Sequence, residues 1–472
     1  MPTLNWIGKE AVVNHHLQVP FRLLKDVPNL ACGDPGSGNL IVQGDNLLAL
    51  KALLPYYAGQ VKCIYIDPPY NTGNEGWVYN DNVTSPVIRD WLGKTVGKEG
   101  ETLDRHDRWL CMMYPRLALL RQFLREDGVL FVNIGTDEAG HLCLLLDEIF
   151  GAPNRVAMAA WETAYTANQT AKHISETTDF VMIYARDSGK ARMGKLGRSE
   201  EQIAKFRNPD NDQRGPWKAE NLSAGKFYSA GQFEITGPTG KRFLPPPGRY
   251  WRCNEAQYQA WLTAGRITFG VNGQGRPMLK KYRDELTQGL TPTTWWRHEE
   301  FGTAKDASIE VKEIFAGGAA FSTPKPTRLL ERILQIATNP GDLVLDSFAG
   351  SGTTGHAVLK LNAESTPRTP PAAESGAQPG LPGLAPTPPA PRRFILVEME
   401  PAIAGPVTAE RVRRVAQGYT NAKGEAVPGL GGGFRFCELG EPLFDESGAI
   451  RDTVSFADLA RHVYFSETGE PL

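Results

Sequence analysis

The sequence predicts an α/β fold built on a parallel sheet, and three features of the chain lead to that prediction. Short apolar strands alternate with longer helical segments in both halves of the chain, which is the order that βαβ units produce. Two of the strands end in an aspartate, Asp67 and Asp346, directly before a turn of unusual composition. Between the two halves, residues 186–300 lack the alternation and form an inserted region.

The first half of the chain carries predicted strands and helices on both sides of the first of these aspartates. The stretch NLIVQGDNLLALKALL predicts a strand, a tight turn and a helix that Asp45 caps. Residues 61–66 (VKCIYI) predict a buried strand that stops at Asp67, because the two prolines after it cannot donate to a sheet. A helix through MMYPRLALLR follows, and Pro115 is expected to kink or interrupt it. The strand GVLFVNIG, the helix DEAGHLCLLLDEIFG and the strand TDFVMIYAR complete this half.

The inserted region differs from the rest of the chain in charge. Residues 186–300 hold 20 Lys and Arg against 12 Asp and Glu, a net charge of +8, although the whole chain has a net charge of −2. The region also mixes glycine, proline and aromatic residues. A basic segment in an otherwise acidic chain indicates a surface that faces a polyanion, and a scattered, solvated basic surface is the alternative.

The α/β pattern resumes after residue 300. The segment PTRLLERILQIAT predicts a helix, DLVLDSF a strand, the residues from about Thr353 a second helix, and RFILVEME a strand that ends at Glu398. Residues 363–392, between that second helix and the last strand, form a Pro-rich insert of low complexity, which we expect to be a mobile surface loop.

Composition excludes several classes of protein. No apolar run approaches the roughly 18–20 residues that span a bilayer, and the N-terminal residues lack the features of a signal peptide. The six cysteines are far apart and include no C-x-x-C pair, which argues against a disulfide framework or a zinc site. We therefore expect a cytoplasmic protein with no membrane contact and no bound metal.

The tetrapeptide Asp67-Pro68-Pro69-Tyr70 stands where an α/β sheet binds its ligands, beyond the carboxyl end of a strand. It places a carboxylate, two residues without backbone donors and an aromatic ring in sequence. Asp-Pro is also common in ordinary turns, which is the alternative for this string. The matching parts elsewhere in the chain favour the first interpretation.

A glycine-rich turn follows Asp346 and reads Gly350-Ser351-Gly352-Thr353-Thr354-Gly355. Such a turn lets the backbone approach a ligand closely, and the helix behind it favours electron-rich groups. The turn is neither a Walker loop nor the usual dinucleotide motif. Glu398 ends the next strand, where an acidic residue typically holds ribose hydroxyls, or else is only a surface charge.

Taken together, these pieces resemble a DNA amino-methyltransferase. DPPY resembles the catalytic motif and DSFAGSGTT the S-adenosylmethionine motif, and their order along the chain is similar to the permuted β class. The longer strings IYIDPPYNTGNE, MMYPRLALLR and FAGSGTTGHAVLKLN resemble the modification subunits of type III restriction systems. The Pro-rich insert is not part of the family pattern, and relatives tend to continue beyond a tail such as LARHVYFSETGEPL.

The resemblance implies a Rossmann-like methyltransferase fold with an inserted target-recognition region. Residues 1–185 would be the catalytic half, 186–300 the target-recognition region, 301–416 the cofactor-binding half and 417–472 a C-terminal extension. The implied cofactor is S-adenosylmethionine, and the implied partners are double-stranded DNA, a second copy of the chain and a restriction subunit of the helicase-nuclease kind.

The resemblance also assigns roles to single residues. Asp67 and the Pro68 carbonyl would accept hydrogen bonds from an exocyclic amine, Pro69 would stiffen the loop, and Tyr70 would stack on a flipped base. Asp45 is either a cofactor contact or only a helix cap, and Lys325 either belongs to the family's remaining cofactor motif or is a solvated charge. The implied cofactor-binding residues are Asp45, Asn46, Lys325, Asp346, Phe348, Ala349, Gly350, Ser351, Gly352, Thr353 and Glu398.

Aspartate in the first motif position is associated in the family with adenine N6, which we prefer to cytosine N4 as the methylated atom. The sequence leaves two further interpretations open. One is methylation of RNA or protein, whose enzymes usually carry asparagine at that position, and the other is a specificity subunit that binds DNA without catalysis.

Overall fold

The computed structural model describes residues 3–72, 105–169, 171–198, 200–285, 289–318, 320–365 and 390–472. The chain divides into two units, one formed by Met1–Gly194 with Thr293–Leu472 and the other by Lys195–Pro292. The smaller unit lies within the predicted insertion at residues 186–300. Residues 366–389, most of the Pro-rich insert, lie outside the described residues.

The larger unit is built on a ten-stranded sheet. Its strands, in chain order, are β1 (Arg22–Asp26), β2 (Leu40–Gln43), β3 (Val61–Ile66), β4 (Leu124–Ile134), β5 (Arg155–Glu162), β6 (Thr178–Ala185), β14 (Trp295–Trp296), β15 (Leu343–Asp346), β16 (Arg393–Glu398) and β19 (Arg435–Pro442). Across the sheet they follow the order β1-β19-β2-β16-β15-β3-β4-β6-β5-β14.

The six central strands, from β19 to β4, are mutually parallel, which confirms the predicted α/β sheet. All six residues of β3 are buried, as an apolar run of that length predicts. Lys62 is buried with them because its ammonium binds the backbone oxygen of Asp127 at 2.6 Å and the side chain at 2.8 Å.

The expectation of a parallel sheet was wrong outside these six strands. Strand β6 is antiparallel to both β4 and β5, and β1 is antiparallel to β19. Residues 163–177 join β5 to β6, and their described part contains no helix. Because antiparallel neighbours need no crossover helix, this short connection is sufficient.

The order of the strands brings the two halves of the chain together. The late strands β16 and β15 lie between the early strands β2 and β3, so β15 pairs directly with β3. The carboxyl ends of these parallel strands therefore meet at one edge of the sheet. Asp346 ends β15, Glu398 ends β16, and Asp67 follows β3 directly at that edge.

Helices cover the sheet. In the larger unit they are α1 (Lys9–Val12), α2 (His15–Gln18), α3 (Asn46–Tyr57), α4 (Arg105–Phe123), α5 (Thr136–Leu146), α8 (His298–Phe301), α9 (Ala304–Ile314), α10 (Thr327–Ala337), α11 (Thr353–Ser365), α12 (Pro401–Ile403), α13 (Glu410–Gln417) and α14 (Phe456–Thr468), and the smaller unit contains α6 (Glu200–Ala204) and α7 (Glu255–Thr263).

Two helix predictions have clear outcomes. Asp45 caps α3 as predicted, because its side chain accepts hydrogen bonds from the backbone of Leu47 and Leu48 at 2.9 and 3.1 Å. Helix α4 runs through Pro115 without interruption, so an interruption there was a wrong expectation. Most of the α4 side chains around this proline are buried, and tertiary packing therefore outweighs its cost.

The predicted C-terminal extension, residues 417–472, contributes to the same unit. After a small hairpin of β17 (Gly418–Thr420) and β18 (Ala426–Pro428), β19 enters the sheet between β1 and β2. The buried Phe436 and Cys437 of β19 have no signal in the sequence that would separate them from a loop.

The smaller unit has its own core, formed by buried aromatic and aliphatic side chains such as Phe243, Trp251 and Tyr258. Its strands are β7 (Trp217–Asn221), β8 (Ser223–Ala224), β9 (Ile235–Thr236), β10 (Arg242–Phe243), β11 (Tyr250–Trp251), β12 (Ile267–Thr268) and β13 (Met278–Tyr282). In the part of the chain that the structure describes, we found no helix with both the length and the hydropathy to cross a membrane.

Candidate active site

A cavity of about 330 Å³ opens at the edge of the sheet where β3, β15 and β16 end. It is lined by residues of both motifs and by the segment before α10, namely Tyr65, Asp67, Pro68, Pro69, Tyr70, Phe321, Thr323, Pro324, Lys325, Asp346, Phe348, Ala349, Gly350, Ser351, Thr353, Thr354, Glu398, Glu400 and Ile403. The two motifs, which are nearly 300 residues apart in the sequence, thus share one cavity because β3 and β15 are neighbours.

Asp67 presents a carboxylate to this cavity. One oxygen, Oδ2, binds the ammonium of Lys325 at 2.5 Å. The other oxygen, Oδ1, is buried and has no hydrogen-bond partner among the described residues. The hydroxyl of Tyr65, another lining residue, is buried without a described partner as well. Unpaired buried polar atoms are costly, so their presence at a cavity favours a ligand that pairs with them.

Tyr70 is held in place by its hydroxyl and by the backbone behind its ring. The hydroxyl donates to Asp179 Oδ2 at 2.9 Å and accepts a hydrogen bond from the side-chain amide of Asn133. A Cβ atom at Gly135 would lie 2.8 Å from the ring, so only glycine allows this close approach. Burial and the neighbouring Asp67 and Asp179 raise the pKa of Tyr70 well above its usual value, so it stays a neutral phenol.

The loop after β3 is fixed on its other side by two further contacts. The indole of Trp109 donates to the Pro69 carbonyl at 2.7 Å. The amide of Asn71 donates to the fully buried Glu138, which also contacts His106 at 2.7 Å and His141 at 2.9 Å. Metal-ligating atoms of the last three residues lie within 4.8 Å of one another, so the expected absence of metal remains a prediction.

The glycine-rich turn after β15 needs its glycines. Gly350 and Gly352 have φ angles of 50° and 77°, which side chains rarely adopt. A Cβ at Gly352 would also lie 2.9 Å from the backbone oxygen of Thr408, and Thr408 in turn donates to the Gly350 carbonyl at 2.6 Å. Phe348, Ala349, Gly350, Ser351 and Thr353 line the cavity, whereas Gly352 is not among its lining residues.

Asp346 lies at the base of this turn and is buried. Its two oxygens accept hydrogen bonds from Thr354 Oγ1 at 2.6 Å and from the Phe348 backbone at 3.0 Å. Burial raises the pKa of Asp346 to about 7, and the neighbouring Asp67 and Glu398 add to the effect. A cation bound in the cavity would favour the ionised form of this carboxyl group.

Glu398 ends β16 beside the turn. Its oxygens accept hydrogen bonds from the backbone of Gly350 at 2.8 Å and of Glu400 at 3.0 Å. The side chain is buried, and burial raises its pKa. Each carboxylate oxygen can accept a second hydrogen bond, so Glu398 keeps acceptor capacity toward a hydroxyl in the cavity.

Arg411 is a buried residue that the sequence analysis did not single out. This residue of α13 donates to Ser351 and Thr353 of the turn at 3.0 and 2.8 Å. It also donates to Thr327 at 3.0 Å and to Glu310 at 3.2 Å. No local pattern in the sequence marks an arginine within an ordinary amphipathic helix as buried, so only the fold reveals this network.

Asp45 and Asn46 are not among the described residues that line the cavity. Besides capping α3, Asp45 binds Arg116 at 3.0 Å, and Asn46 donates to the Ser347 backbone at 3.2 Å. Arg116 also donates to the Asn46 side chain. Asn46 thus supports the residue that follows Asp346, and direct contact between Asp45 or Asn46 and the cofactor remains a prediction.

Comparison with known proteins places these features in a family. The model of the N6/N4 DNA methylase family matches residues 61–405, which include both motifs and the insertion between them. The chain is 34% identical, over 348 residues, to the Mod subunit of the type III restriction-modification enzyme StyLTI of Salmonella typhimurium strain LT2, covering 71% of this chain and 52% of that one.

Two further similarities have different weights. The Mod subunit of the EcoPI enzyme of Escherichia phage P1 is 31% identical over 404 residues, which cover 76% of this chain and 61% of that one. The solved structure of PvuII DNA methyltransferase, described as cytosine-N4-specific, aligns with 11% identity, a TM-score of 0.39 and coverage of 79% and 86%, which is too weak to support an argument. The chain thus spans 52% to 61% of the length of the two curated relatives. The match of the family model over most of the chain, with both motifs at one cavity, shows that the chain belongs to the DNA methylase family.

Proposed function

We propose that this chain is a site-specific DNA methyltransferase that uses S-adenosylmethionine and methylates an exocyclic amine of a flipped base, adenine N6 in preference to cytosine N4. The observation that carries the proposal is the shared cavity, in which the DPPY residues and the glycine-rich turn stand on neighbouring strands. Either motif alone would indicate only a ligand site, whereas the two motifs side by side would bring the methyl donor next to the amine that accepts the methyl group.

The residues in and around the glycine-rich turn suit a cationic nucleoside. Asp346, Glu398 and Glu400 give this side of the cavity an excess of carboxyl groups, which favours a ligand with a positive charge. Glu398 would hold ribose hydroxyls, and the backbone of Gly350–Thr353 would follow the ligand closely. Phe348, Ala349 and Ser351 would complete the binding surface. When bound, S-adenosylmethionine supplies a methyl group that is activated by attachment to a positively charged sulfur.

The DPPY residues suit an amine acceptor. An exocyclic amine is a weak nucleophile because its lone pair is delocalised into the base. Asp67 would accept a hydrogen bond from the amine and hold its nitrogen in a more tetrahedral arrangement, with the Pro68 carbonyl as a second acceptor. Tyr70, whose hydroxyl is anchored by Asp179, would stack on the flipped base.

The choice of acceptor base rests on Asp67 as the first residue of the motif. Adenine N6 and cytosine N4 are both amines next to a ring nitrogen, so the same pair of acceptors serves either. Methylated DNA can be digested to nucleosides and separated by mass spectrometry. We expect N6-methyladenine, and N4-methylcytosine without N6-methyladenine would overturn this part of the proposal.

Methyl transfer itself can be tested without knowledge of the recognition sequence. The purified chain is incubated with labelled S-adenosylmethionine and, in separate reactions, with unmethylated amplified DNA of high sequence diversity, RNA or protein. We expect label in DNA alone. Asp67→Ala should abolish transfer and leave S-adenosylmethionine binding largely intact, because Asp67 faces the acceptor. Near-normal turnover of this variant would remove Asp67 from the mechanism.

The smaller unit is proposed to recognise the DNA target. Residues 195–292 hold 16 Lys and Arg against 9 Asp and Glu. A concave surface of this unit is lined by four basic residues, two acidic residues and an aromatic ring, namely Arg252, Arg266, Lys280, Lys281, Glu220, Glu285 and Trp261, and Arg266 pairs with Glu285. Arginine and lysine bind phosphates and guanine edges, and an aromatic ring can stack on a base.

Assembly and location are further parts of the proposal. The relatives are named as subunits of type III restriction-modification enzymes, so a restriction subunit is the partner that we propose, together with homodimer formation. Light scattering at micromolar concentration would reject the homodimer if it showed only monomer, with and without DNA. All six cysteines are free, which suits the reducing cytoplasm that we propose as the location.

A further inference from the structure

Lys325 lies in the part of the cavity that the DPPY residues line. Its ammonium nitrogen is 2.5 Å from Asp67 Oδ2 and 5.1 Å from the centre of the Tyr70 ring. The side chains of Lys325 and Asp67 are only 13% and 21% exposed, so the pair is partly shielded from water. The ammonium thus contacts a carboxylate oxygen and lies over the face of an aromatic ring.

These two partners are the groups that the proposed function assigns to the target base. Asp67 would accept from the base amine, and Tyr70 would stack on the base. A lysine ammonium satisfies both requirements, because it donates to a carboxylate and is attracted to the face of an aromatic ring. One of the two Asp67 oxygens is therefore occupied by a group of the chain itself.

We propose that Lys325 is a resident competitor for the acceptor site, and that its ammonium must leave Asp67 before a cationic cofactor and a base amine can occupy the cavity together. This inference rests on the proposed function. It differs from the role that the family resemblance implies for Lys325, which is binding of the cofactor.

The structure allows the side chain to leave while its backbone stays. Thr353 Oγ1 donates to the Lys325 carbonyl at 3.2 Å, and Arg411 holds Thr353 at 2.8 Å. Pro326 follows directly, stands at the position before α10, and accepts a hydrogen bond from the Leu329 backbone at 3.0 Å. The backbone is thereby fixed at the glycine-rich turn, whereas the four-carbon stem of a lysine can rotate its charge away from Asp67.

The charge of Lys325 should affect the binding of different ligands according to their own charge. A ligand with a positive charge near Asp67 must displace or tolerate the ammonium of Lys325, whereas a ligand without that charge is less affected. Three known ligands of methyltransferases differ in this way. S-adenosylmethionine carries a sulfonium, sinefungin carries an amine-bearing carbon in its place, and S-adenosylhomocysteine carries a neutral thioether.

The test is isothermal titration calorimetry of these three ligands with the full chain and the variant Lys325→Met, which keeps the length of the side chain and removes its charge. We expect S-adenosylmethionine and sinefungin to bind at least tenfold more tightly to the variant, and S-adenosylhomocysteine to change less than threefold. Lys325→Arg, which keeps the charge, should not show the gain.

Lys360→Met is the matched control, because Lys360 also pairs with a carboxylate, Glu331, at 2.6 Å but does not line the cavity. Its ligand affinities should stay unchanged. If Lys325→Met does not fold, Lys325→Gln serves in its place.

Weaker binding of all three ligands to Lys325→Met would assign Lys325 to cofactor binding and overturn the inference. Unchanged binding would overturn it as well. Failure of the wild-type chain to bind any of the three ligands would instead contradict the proposed function, and the inference with it.

Discussion

At the scale of single residues, the position of Tyr70 depends on Gly135, which has no side chain. Gly135 lies directly behind the ring, at the point where β4 leads into α5, and its φ angle is ordinary. Glycine is required there for space and not for backbone conformation. The hydroxyl of Tyr70 is fixed by Asn133 and Asp179, so the ring cannot move aside without loss of those hydrogen bonds.

Gly135→Ala should therefore lower methyl transfer to DNA by about tenfold or more, since small displacements of a positioning group have large effects on turnover. Gly140→Ala is the matched control, because a Cβ there meets no atom within 4 Å and alanine favours the helix by about 0.5–1 kcal/mol. Turnover and thermal unfolding of both variants would be measured. Equal turnover of the two would contradict a positional role for Gly135.

We expect Asp346 to make the binding of S-adenosylmethionine depend on pH. Burial raises its pKa to about 7, so the group is mostly protonated at pH 6 and mostly ionised at pH 8. A cationic ligand interacts more favourably with the ionised form, so S-adenosylmethionine should bind more tightly at pH 8, by up to about tenfold per pH unit below the pKa. Calorimetry at a series of pH values would measure this, and Asp346→Asn should flatten the profile. A wild-type slope in that variant would assign the effect to another group, such as Glu398.

The sequence predicts the residues that stand at strand ends and misses those that support them. Asp67, Asp346 and Glu398 could be predicted because strand, carboxylate and turn are adjacent in the chain. Asp179 is 109 residues from the tyrosine that it anchors, and Arg411 is 58 residues from Thr353. Contacts over such separations depend on tertiary packing, which local patterns do not contain.

At the scale of elements, α13 connects the helices around the glycine-rich turn. Arg411 projects from this helix into a buried space and reaches α9 through Glu310, the start of α10 through Thr327, and the start of α11 through Thr353. A single side chain thus aligns three helices around the glycine-rich turn. Its guanidinium offers five donors in a rigid fork, which suits a site with several acceptors.

Arg411→Met should destabilise the fold by about 3 kcal/mol, because it removes the cation that pairs with Glu310 and one donor from each of three buried hydroxyl groups. Arg413→Met in the same helix is the matched control. Arg413 pairs with Glu410 at 2.6 Å and donates to the Leu30 carbonyl at 3.0 Å, but it is partly exposed, so its loss should cost about 1 kcal/mol. Denaturant unfolding would measure both changes. A difference of less than about 1 kcal/mol between the variants would contradict the role assigned to Arg411.

The elements themselves were predictable where periodicity was strong. The strands β3, β4, β15 and β16 and the helices between them follow from apolar runs and helical spacing. The edge strand β1 and its neighbour β19 were not predictable, because their exposed and buried residues alternate poorly and the residues that these two strands pair are more than 400 positions apart in the chain.

At the scale of the whole molecule, the ends of the Pro-rich insert are joined by a pair of hydrogen bonds. The side-chain amide of Asn362 donates to the Arg392 carbonyl at 2.9 Å and accepts from the Arg392 backbone at 2.9 Å. The side chain of Arg392 is also buried and bound to Thr338 at 2.9 Å. These hydrogen bonds thus link the end of α11 directly to the residue before β16, so the connection does not depend on the residues between them.

Replacement of residues 365–391 by a short Gly-Ser linker should leave folding and S-adenosylmethionine affinity unchanged, because the flanks are already joined and the insert's composition cannot build a core. Thermal unfolding and calorimetry would test this. The same replacement combined with Asn362→Ala should be less stable, since it removes the link between the flanks. A large loss of thermal stability from the linker alone would show that the insert packs.

The strand order also determines when the cavity can form during synthesis. A ribosome completes β3 and its DPPY loop, and then the entire smaller unit, before it makes β15 and β16, which must enter between β2 and β3. A nascent chain that has reached residue 340 therefore has the proposed DNA-recognition unit but lacks the wall of the cavity that β15 supplies. Such long-range pairing is slow to form. A chain that stalls at this stage would carry the proposed recognition unit without a complete cavity, so under the proposed function target recognition would become possible before methyl transfer.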